Sequence, residues 1–302
     1  MSKRFCIRAA AAVGGVLLLA CASPVLSTPS APQEGVPLVI DHTTADLAQI
    51  PGEWLVQARL LSLQLAHTSH GSQLVTGVAW WESVRPELDV DIRSVVTPPG
   101  PEGALNIYDG NAYDEDNYIT PEMYWSTDDG RAHTEQVAAT GLFGYSMWSW
   151  CGQQSENSEE QVNDYLATLA QFEANHPGMR FIYMTGHTDG GSETLARNNQ
   201  MVRDYAVAHG RVLFDFADLE QYDPAGRYYP WADDSCVWCA QWCSDHPADC
   251  AGLPEEADWC AHTHPLLCRQ KGQAFWWMMA RLAGWPGPEG AGEALYLPVV
   301  AR

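Results

Sequence analysis

The chain has 302 residues, of which 38 are acidic and 16 basic, for a formal net charge of −22 at pH 7. Its length is sufficient for one large α/β domain with a substantial core. Nucleic acid is excluded as an expected partner, because a chain this acidic cannot neutralise a phosphate backbone.

The first 27 residues have the pattern of an export signal, in which basic residues precede an apolar run over 9–20 and small residues follow. That run is too short to span a bilayer comfortably. Residues 18–21 resemble a lipobox with Cys21 as the lipidated residue, although ordinary signal cleavage fits the same segment and both readings stay open. In either case we expect a secreted or cell-surface protein whose only membrane contact would be an N-terminal lipid anchor. The sequence carries no signal for an oligomeric state.

After a Pro- and Ser-rich tether at 28–43, the patterns alternate between strands and helices within one predicted domain at 44–284. Residues 111–134 lack a clear period and are predicted to be irregular, and 285–302 are predicted to be a Gly/Pro linker and tail. This alternation predicts an α/β fold with a parallel sheet and helices on both of its faces. We predict strands at 60–66, 104–108, 144–150, 179–184 and 211–216, and helices at 44–59, 72–83, 158–175, 194–208 and 270–282.

A cysteine-rich insertion is predicted at 222–268, before the last helix. Three disulfides are the expected state in an oxidising compartment, with fifteen pairings open. Zinc is the alternative, because Cys236 and Cys239 have ligand spacing and His246 is close in sequence. Cys151 is left without a partner. The six cysteines of the insertion are Cys236, Cys239, Cys243, Cys250, Cys260 and Cys268.

Residues with chemical potential follow four of the predicted strands. They are HTSHG at 67–71, DGN at 109–111, CGQ at 151–153 and TGHTDG at 185–190, and a fifth group, CAHTHP at 260–265, precedes the last helix. Because the carboxyl ends of parallel strands share one edge of a sheet, we expect these groups to converge. A serine at such an edge is a candidate nucleophile if a histidine can act as its base.

The order and spacing of these groups resemble the SGNH, or GDSL-type, hydrolase superfamily over roughly residues 55–285. The resemblance implies a flavodoxin-like three-layer α/β/α fold in which Ser69 is the nucleophile. It also implies that His264, in a His-Pro pair before the last helix, is the base. The Ser69 and Gly110 amides and the Gln153 side chain would then form the oxyanion hole, with Gln153 replacing the usual asparagine.

The sequence departs from this family at the third member of the triad. No aspartate lies three residues before His264 or before His262, the second candidate base, and Asp258 is the nearest upstream acid. The structural alternative is that the Ser69 side chain only caps the helix after the first predicted strand. Histidines at two strand ends and before the last helix favour the catalytic interpretation.

Five further residues are candidates for substrate binding: His67, His70, Trp150, His187 and Asp189. Trp150 would stack on a sugar if it faced the cleft, whereas core packing is the ordinary role of such a residue. The same histidines form a second hypothesis, a metal site, since imidazole and carboxylate suit zinc. No other cofactor is expected.

The sequence therefore predicts an exported serine esterase that cleaves acyl, for example acetyl, esters on carbohydrate or a related small ester. Two alternatives stay open: a non-catalytic carbohydrate-binding protein on the same fold, and a metal-dependent or other glycan-cleaving enzyme that uses the histidine cluster.

Overall fold

A computed structural model describes residues 35–98, 100, 103–113, 116–255 and 258–288. The predicted export signal with Cys21, the first part of the tether and most of the C-terminal tail lie outside these residues. The centre of the fold is a seven-stranded sheet in which every pair of neighbouring strands is parallel. Its strands are β1 (Leu38–Ile40), β2 (Ser62–His67), β3 (Val90–Arg93), β4 (Leu105–Asp109), β5 (Tyr145–Ser149), β6 (Arg180–Met184) and β7 (Val212–Phe214).

The order across the sheet is β1-β7-β6-β5-β2-β4-β3. The five strands β4-β2-β5-β6-β7 have the flavodoxin-like order, so the predicted fold class is confirmed, with β1 and β3 added at the two edges. The direction of winding reverses between β2 and β5. In open parallel sheets, ligands bind at the carboxyl ends of the strands beside such a reversal.

Helices flank this sheet in two groups. One group is centred on α9, which contacts α1, α2 and α7, and the other includes the contacting pairs α3–α4 and α5–α6. A short helix, α8, lies within the cysteine-rich insertion. The helices are α1 (Gly52–Ala58), α2 (Ser72–Val84), α3 (Pro121–Tyr124), α4 (Asp128–Ala139), α5 (Glu159–Asn175), α6 (Glu193–Ala208), α7 (Phe216–Gln221), α8 (Cys239–Asp245) and α9 (Pro265–Leu282).

Several parts of the sequence prediction are wrong. The tether does not extend to residue 43, because Leu38–Ile40 pairs with β7 as an edge strand. Strand β3 was not expected, because four half-buried residues are too short a segment for an alternating pattern to be recognised. The predicted irregular segment contains α3 and the start of α4. Helix α4 has few apolar residues, and the Thr127 hydroxyl stabilises its start by accepting a hydrogen bond from Gly130 N at 3.1 Å.

Helix α9 begins at Pro265, five residues before its predicted start, so the insertion ends earlier than 268 and Cys268 lies within the helix. Helices α2 and α9 cross in close contact at Gly77 and Gly272, where there is no room for a side chain. This crossing fixes the position of α2, whose amino end follows the HTSHG turn.

The six cysteines of the insertion form three local disulfides, Cys236–Cys239, Cys243–Cys250 and Cys260–Cys268. The zinc alternative at Cys236 and Cys239 is thereby wrong, because the two sulfurs are bonded to each other. Cys151 is the free cysteine of the described chain. Disulfides are compatible with an oxidising, extracellular compartment. Within the described ranges, every helix is too short or too polar to cross a membrane.

Candidate functional site

Ser69 and Cys151 meet at the point where the winding of the sheet reverses. Ser69 follows β2 and Cys151 follows the adjacent β5, and their Oγ and Sγ atoms are 3.2 Å apart. His187, which follows β6 on the other side of β5, lies beside the Cys151 thiol, with a ring nitrogen within 4.8 Å of Sγ. The centre of the site is therefore a thiol between a hydroxyl and an imidazole.

The backbone fixes the tautomer of His187. This imidazole is 8% exposed, and its Nδ1 lies 2.7 Å from the Thr188 carbonyl oxygen. Since a carbonyl can only accept, Nδ1 carries a proton and Nε2 is the nitrogen left for the thiol. Such an imidazole is oriented to take a proton from Cys151 and return it.

The electrostatics of the pair favour proton transfer from sulfur to nitrogen. The interaction with His187, aided by Ser69, lowers the pKa of Cys151. Burial acts to lower the pKa of His187, but the interaction with Cys151 and the negative charge of Glu220 outweigh it, so this pKa is raised. A thiol and an imidazole whose pKa values shift toward each other form a thiolate–imidazolium pair more readily than free side chains do.

His70 also contacts the thiol. Its Nδ1 is 3.3 Å from Cys151 Sγ, and its Nε2 is 3.2 Å from Asp234 Oδ2. Its ring stacks on His187 at 3.7 Å and on His262 at 4.3 Å between ring centroids. Burial, together with the charges of His187, His262 and Lys271, lowers the pKa of His70 to about 2. His70 therefore stays neutral, and it does not compete with His187 as a base.

His67 repeats the local geometry of His187 but has a different partner. Its Nδ1 lies 2.7 Å from the Thr68 carbonyl oxygen, and its Nε2 is 2.9 Å from Asp109 Oδ1 at the end of β4. Both side chains are buried, with His67 4% and Asp109 6% exposed. The imidazole of His67 is thus paired with a carboxylate in the sheet edge.

The predicted triad is not assembled. His264 is the N-cap of α9, where its Nδ1 accepts a hydrogen bond from Leu266 N at 3.1 Å, and burial lowers its pKa. Asp258 is exposed, and His262 stacks on His70. Among the described residues, the hydrogen-bond partner of Ser69 Oγ is Cys151 and no imidazole.

Two of the three predicted oxyanion donors are also engaged elsewhere. The Gly110 amide donates to the Leu65 carbonyl within the sheet at 3.2 Å. Gln153 folds back so that its Oε1 accepts a hydrogen bond from Cys151 N at 2.7 Å. This contact holds the loop that carries the thiol, which is a different role from that implied by the family resemblance.

Two of the predicted substrate-binding residues have structural roles. Trp150 is 1% exposed, and its indole N–H donates to the Met184 carbonyl at 2.8 Å, so it packs in the core. Asp189 organises its own loop, since its carboxylate accepts from the Ser155 hydroxyl at 2.5 Å and from Ser192 N at 3.0 Å.

A cavity of about 630 Å³ lies beside the histidine cluster. His262, Thr263 and His264 line it together with the Cys243–Cys250 disulfide and Leu253 of the insertion. Because His262 also stacks on His70, the cavity adjoins the Cys151 centre. The insertion thus forms a wall of the candidate site.

The donor atoms of His70, Cys151 and His187 lie within 4.8 Å of one another, a set that suits zinc or copper. The two imidazoles, however, are stacked with their planes 4° apart. Imidazole lone pairs lie in the ring plane, so two rings in separate parallel planes cannot both direct a lone pair at one ion. Coordination by all three side chains would require one of the rings to turn.

The sequence places Cys151 at a strand end, but no basic residue is adjacent to it in sequence that would mark it as a nucleophile. The imidazole comes instead from the neighbouring strand. The sequence signal for this site was that Cys151 remains unpaired when the six cysteines of the insertion form disulfides with one another. No family model, no curated protein and no solved structure matches the chain.

Proposed function

We propose that the protein is an exported hydrolase of acyl esters in which Cys151 is the nucleophile and His187 the general base. The observation that carries this proposal is the position of the Cys151 thiol beside an imidazole whose other nitrogen is fixed by Thr188 O. This is the arrangement that activates a thiol for acyl transfer.

The reaction would proceed in two steps. In the first, the Cys151 thiolate adds to the ester carbonyl, the carbon–oxygen bond to the alcohol breaks, and His187 protonates the departing alkoxide. In the second, His187 takes a proton from water, hydroxide displaces the thiolate from the thioester, and the carboxylic acid is released. Ser69, with Oγ 3.2 Å from the sulfur, would donate a hydrogen bond to the thiolate.

A serine nucleophile is the competing mechanism, because Ser69 lies at the reversal of the sheet as the SGNH resemblance implies. It is less favoured because a serine hydroxyl requires a base within hydrogen-bond reach. The neighbour of Ser69 Oγ is a thiol with a lowered pKa.

The substrate class rests on the cavity and on the export signal. A space of about 630 Å³ with histidine, threonine and serine on its walls is large enough for a substituted sugar ring. An acyl ester on a carbohydrate, or a related small extracellular ester, fits both features.

Hydrolysis of p-nitrophenyl acetate by the wild type and by Cys151→Ala, Ser69→Ala and His264→Ala tests this proposal. We expect Cys151→Ala to abolish turnover, Ser69→Ala to reduce it, and His264→Ala, which removes a cavity-lining side chain but not the proposed base, to retain measurable turnover. Mass spectrometry should locate iodoacetamide on Cys151 in the wild type.

The opposite pattern would refute the thiol mechanism. Full turnover in Cys151→Ala, together with fluorophosphonate labelling of Ser69, would assign the serine as nucleophile. Saccharide binding without turnover in the wild type would instead assign a non-catalytic binding protein.

A further inference from the structure

A fully buried ion pair lies close to the candidate site. Lys271 Nζ of α9 is 2.6 Å from Glu220 Oε1 of α7, and both side chains are 0% exposed. The ammonium group also contacts the Gln73 amide oxygen and lies 3.7 Å from the centroid of the Phe216 ring. Because both charges lose their hydration, a buried ion pair is weak evidence for stability. Its position relative to the site suggests another role.

The second carboxylate oxygen of Glu220 is connected to His187 through hydrogen bonds to one intervening residue. Glu220 Oε2 accepts hydrogen bonds from Thr188 N at 2.7 Å and from Thr188 Oγ1 at 2.8 Å. The carbonyl of the same threonine accepts the Nδ1–H of His187 at 2.7 Å. The carboxylate therefore holds, through one residue, the group that orients the imidazole.

We propose that Glu220 is a positioning residue for His187, and that Lys271 is the counter-ion that keeps this carboxylate in place. The inference rests on the proposed function, since it assigns these residues to the base of the Cys151 reaction. Two effects act together: the double hydrogen bond fixes Thr188, and the negative charge favours an imidazolium at His187.

A second ion pair provides a matched control in the same segment. Thr185 Oγ1 donates to Asp215 Oδ1 at 3.0 Å, and Asp215 pairs with Arg203 at 2.6 Å. The chemistry is the same as that of Thr188, Glu220 and Lys271, namely a threonine hydroxyl on a buried carboxylate that pairs with a cation. The Thr185 carbonyl does not accept the His187 Nδ1–H. If the effect of losing a threonine hydroxyl were purely structural, Thr185→Val and Thr188→Val should therefore change the protein equally.

The test measures the rate of Cys151 alkylation by iodoacetamide as a function of pH, in the full chain with its disulfides intact. The variants are Thr188→Val, the charge-neutral pair Glu220→Gln/Lys271→Gln, and Thr185→Val as the control. Removing both charges avoids leaving an unpaired lysine in the core. Circular dichroism verifies that each protein is folded.

We expect the double variant to alkylate about tenfold more slowly than the wild type at pH 6, because a thiol pKa higher by one unit lowers the thiolate fraction tenfold. Thr188→Val should shift the profile in the same direction by a smaller amount, Thr188→Ser should restore it, and Thr185→Val should match the wild type.

Two failures are distinguishable. A lowered thiol pKa in the wild type that is unchanged in both Thr188→Val and the double variant would overturn the positioning role and leave the proposed function intact. An ordinary thiol profile in the wild type would overturn both. If the double variant does not fold, Thr188→Val alone decides the question. A raised Cys151 pKa in this variant supports the positioning role, and an unchanged pKa overturns it.

Discussion

Replacing Gly77 with alanine should force apart the two helices that cross beneath the site. A Cβ at Gly77 in α2 would overlap the Cys268 carbonyl oxygen and lie 2.9 Å from Gly272 N, both in α9. The obstacles are backbone atoms, so no side chain can rotate away. The steric overlap would therefore be relieved by moving α2 and α9 apart.

The expected loss of stability follows from two opposing effects. Overpacking costs about 3 kcal/mol at the upper end of its usual range, which applies where backbone must move. Alanine recovers about 1 kcal/mol over glycine in a helix. The net loss is about 2 kcal/mol, which lowers the urea midpoint by about 0.7 M for a denaturant slope of about 3 kcal/mol/M.

Urea denaturation followed by tryptophan fluorescence measures this loss. Gly52→Ala is the control, because Gly52 opens α1 and a Cβ there would meet nothing within 4 Å. Gly272→Ala should be destabilised as well, and the Gly77→Ala/Gly272→Ala pair should lose less than the sum, since one separation relieves both clashes. If Gly77→Ala unfolds at the same urea concentration as Gly52→Ala, the close-packed crossing is refuted.

Three further predictions concern titration and covalent structure. The alkylation rate of Cys151 should fall only at pH values below the ordinary thiol pKa of about 8.5, since His187 lowers this pKa; His187→Ala should move the inflection upward, and an unshifted wild-type profile contradicts the pairing. Peptide mapping without reduction should recover the three local disulfides with Cys151 unlinked; a disulfide at Cys151 contradicts the fold of this edge. Burial lowers the pKa of His42, but Asp218 at 2.6 Å outweighs it and the net pKa is raised. The resulting stabilisation should be fully present below the unfolded pKa of about 6.5 and disappear as pH rises through the folded pKa; NMR titration of Asp218→Asn should show a lower His42 pKa, and an unchanged value refutes the contact.

The long periodic elements could be predicted from the sequence, because hydrophobic pattern and capping agree there. Ser158 and Gln161 form a capping box at the start of α5, where the sequence predicts a helix. Strands β1 and β3 have three and four residues and lie at the edges of the sheet. A segment this short carries too few apolar positions for a period to be recognised.

The location of the candidate site, at the carboxyl edge of the sheet, could be predicted from the sequence. The contacts between its side chains could not. Parallel strands bring their carboxyl ends together, which the sequence pattern indicates. Which ends are adjacent depends on strand order, and this order places Cys151 between Ser69 and His187. The His-Pro pair before α9 predicted a base, whereas the imidazole of His264 caps the helix.

The local pairing of the disulfides has a consequence for the order of folding events. Their cysteines are separated by 3, 7 and 8 residues, so each bond can form by closing a short loop. The thiol of Cys151 is enclosed only after β2, β5 and β6 have assembled from distant parts of the chain, which is a slow step in parallel sheets. Early closure of the three loops removes the six thiols that could capture Cys151 during this interval. The insertion, which lines the cavity next to Cys151 in the native protein, would thereby also protect the Cys151 thiol while the chain folds.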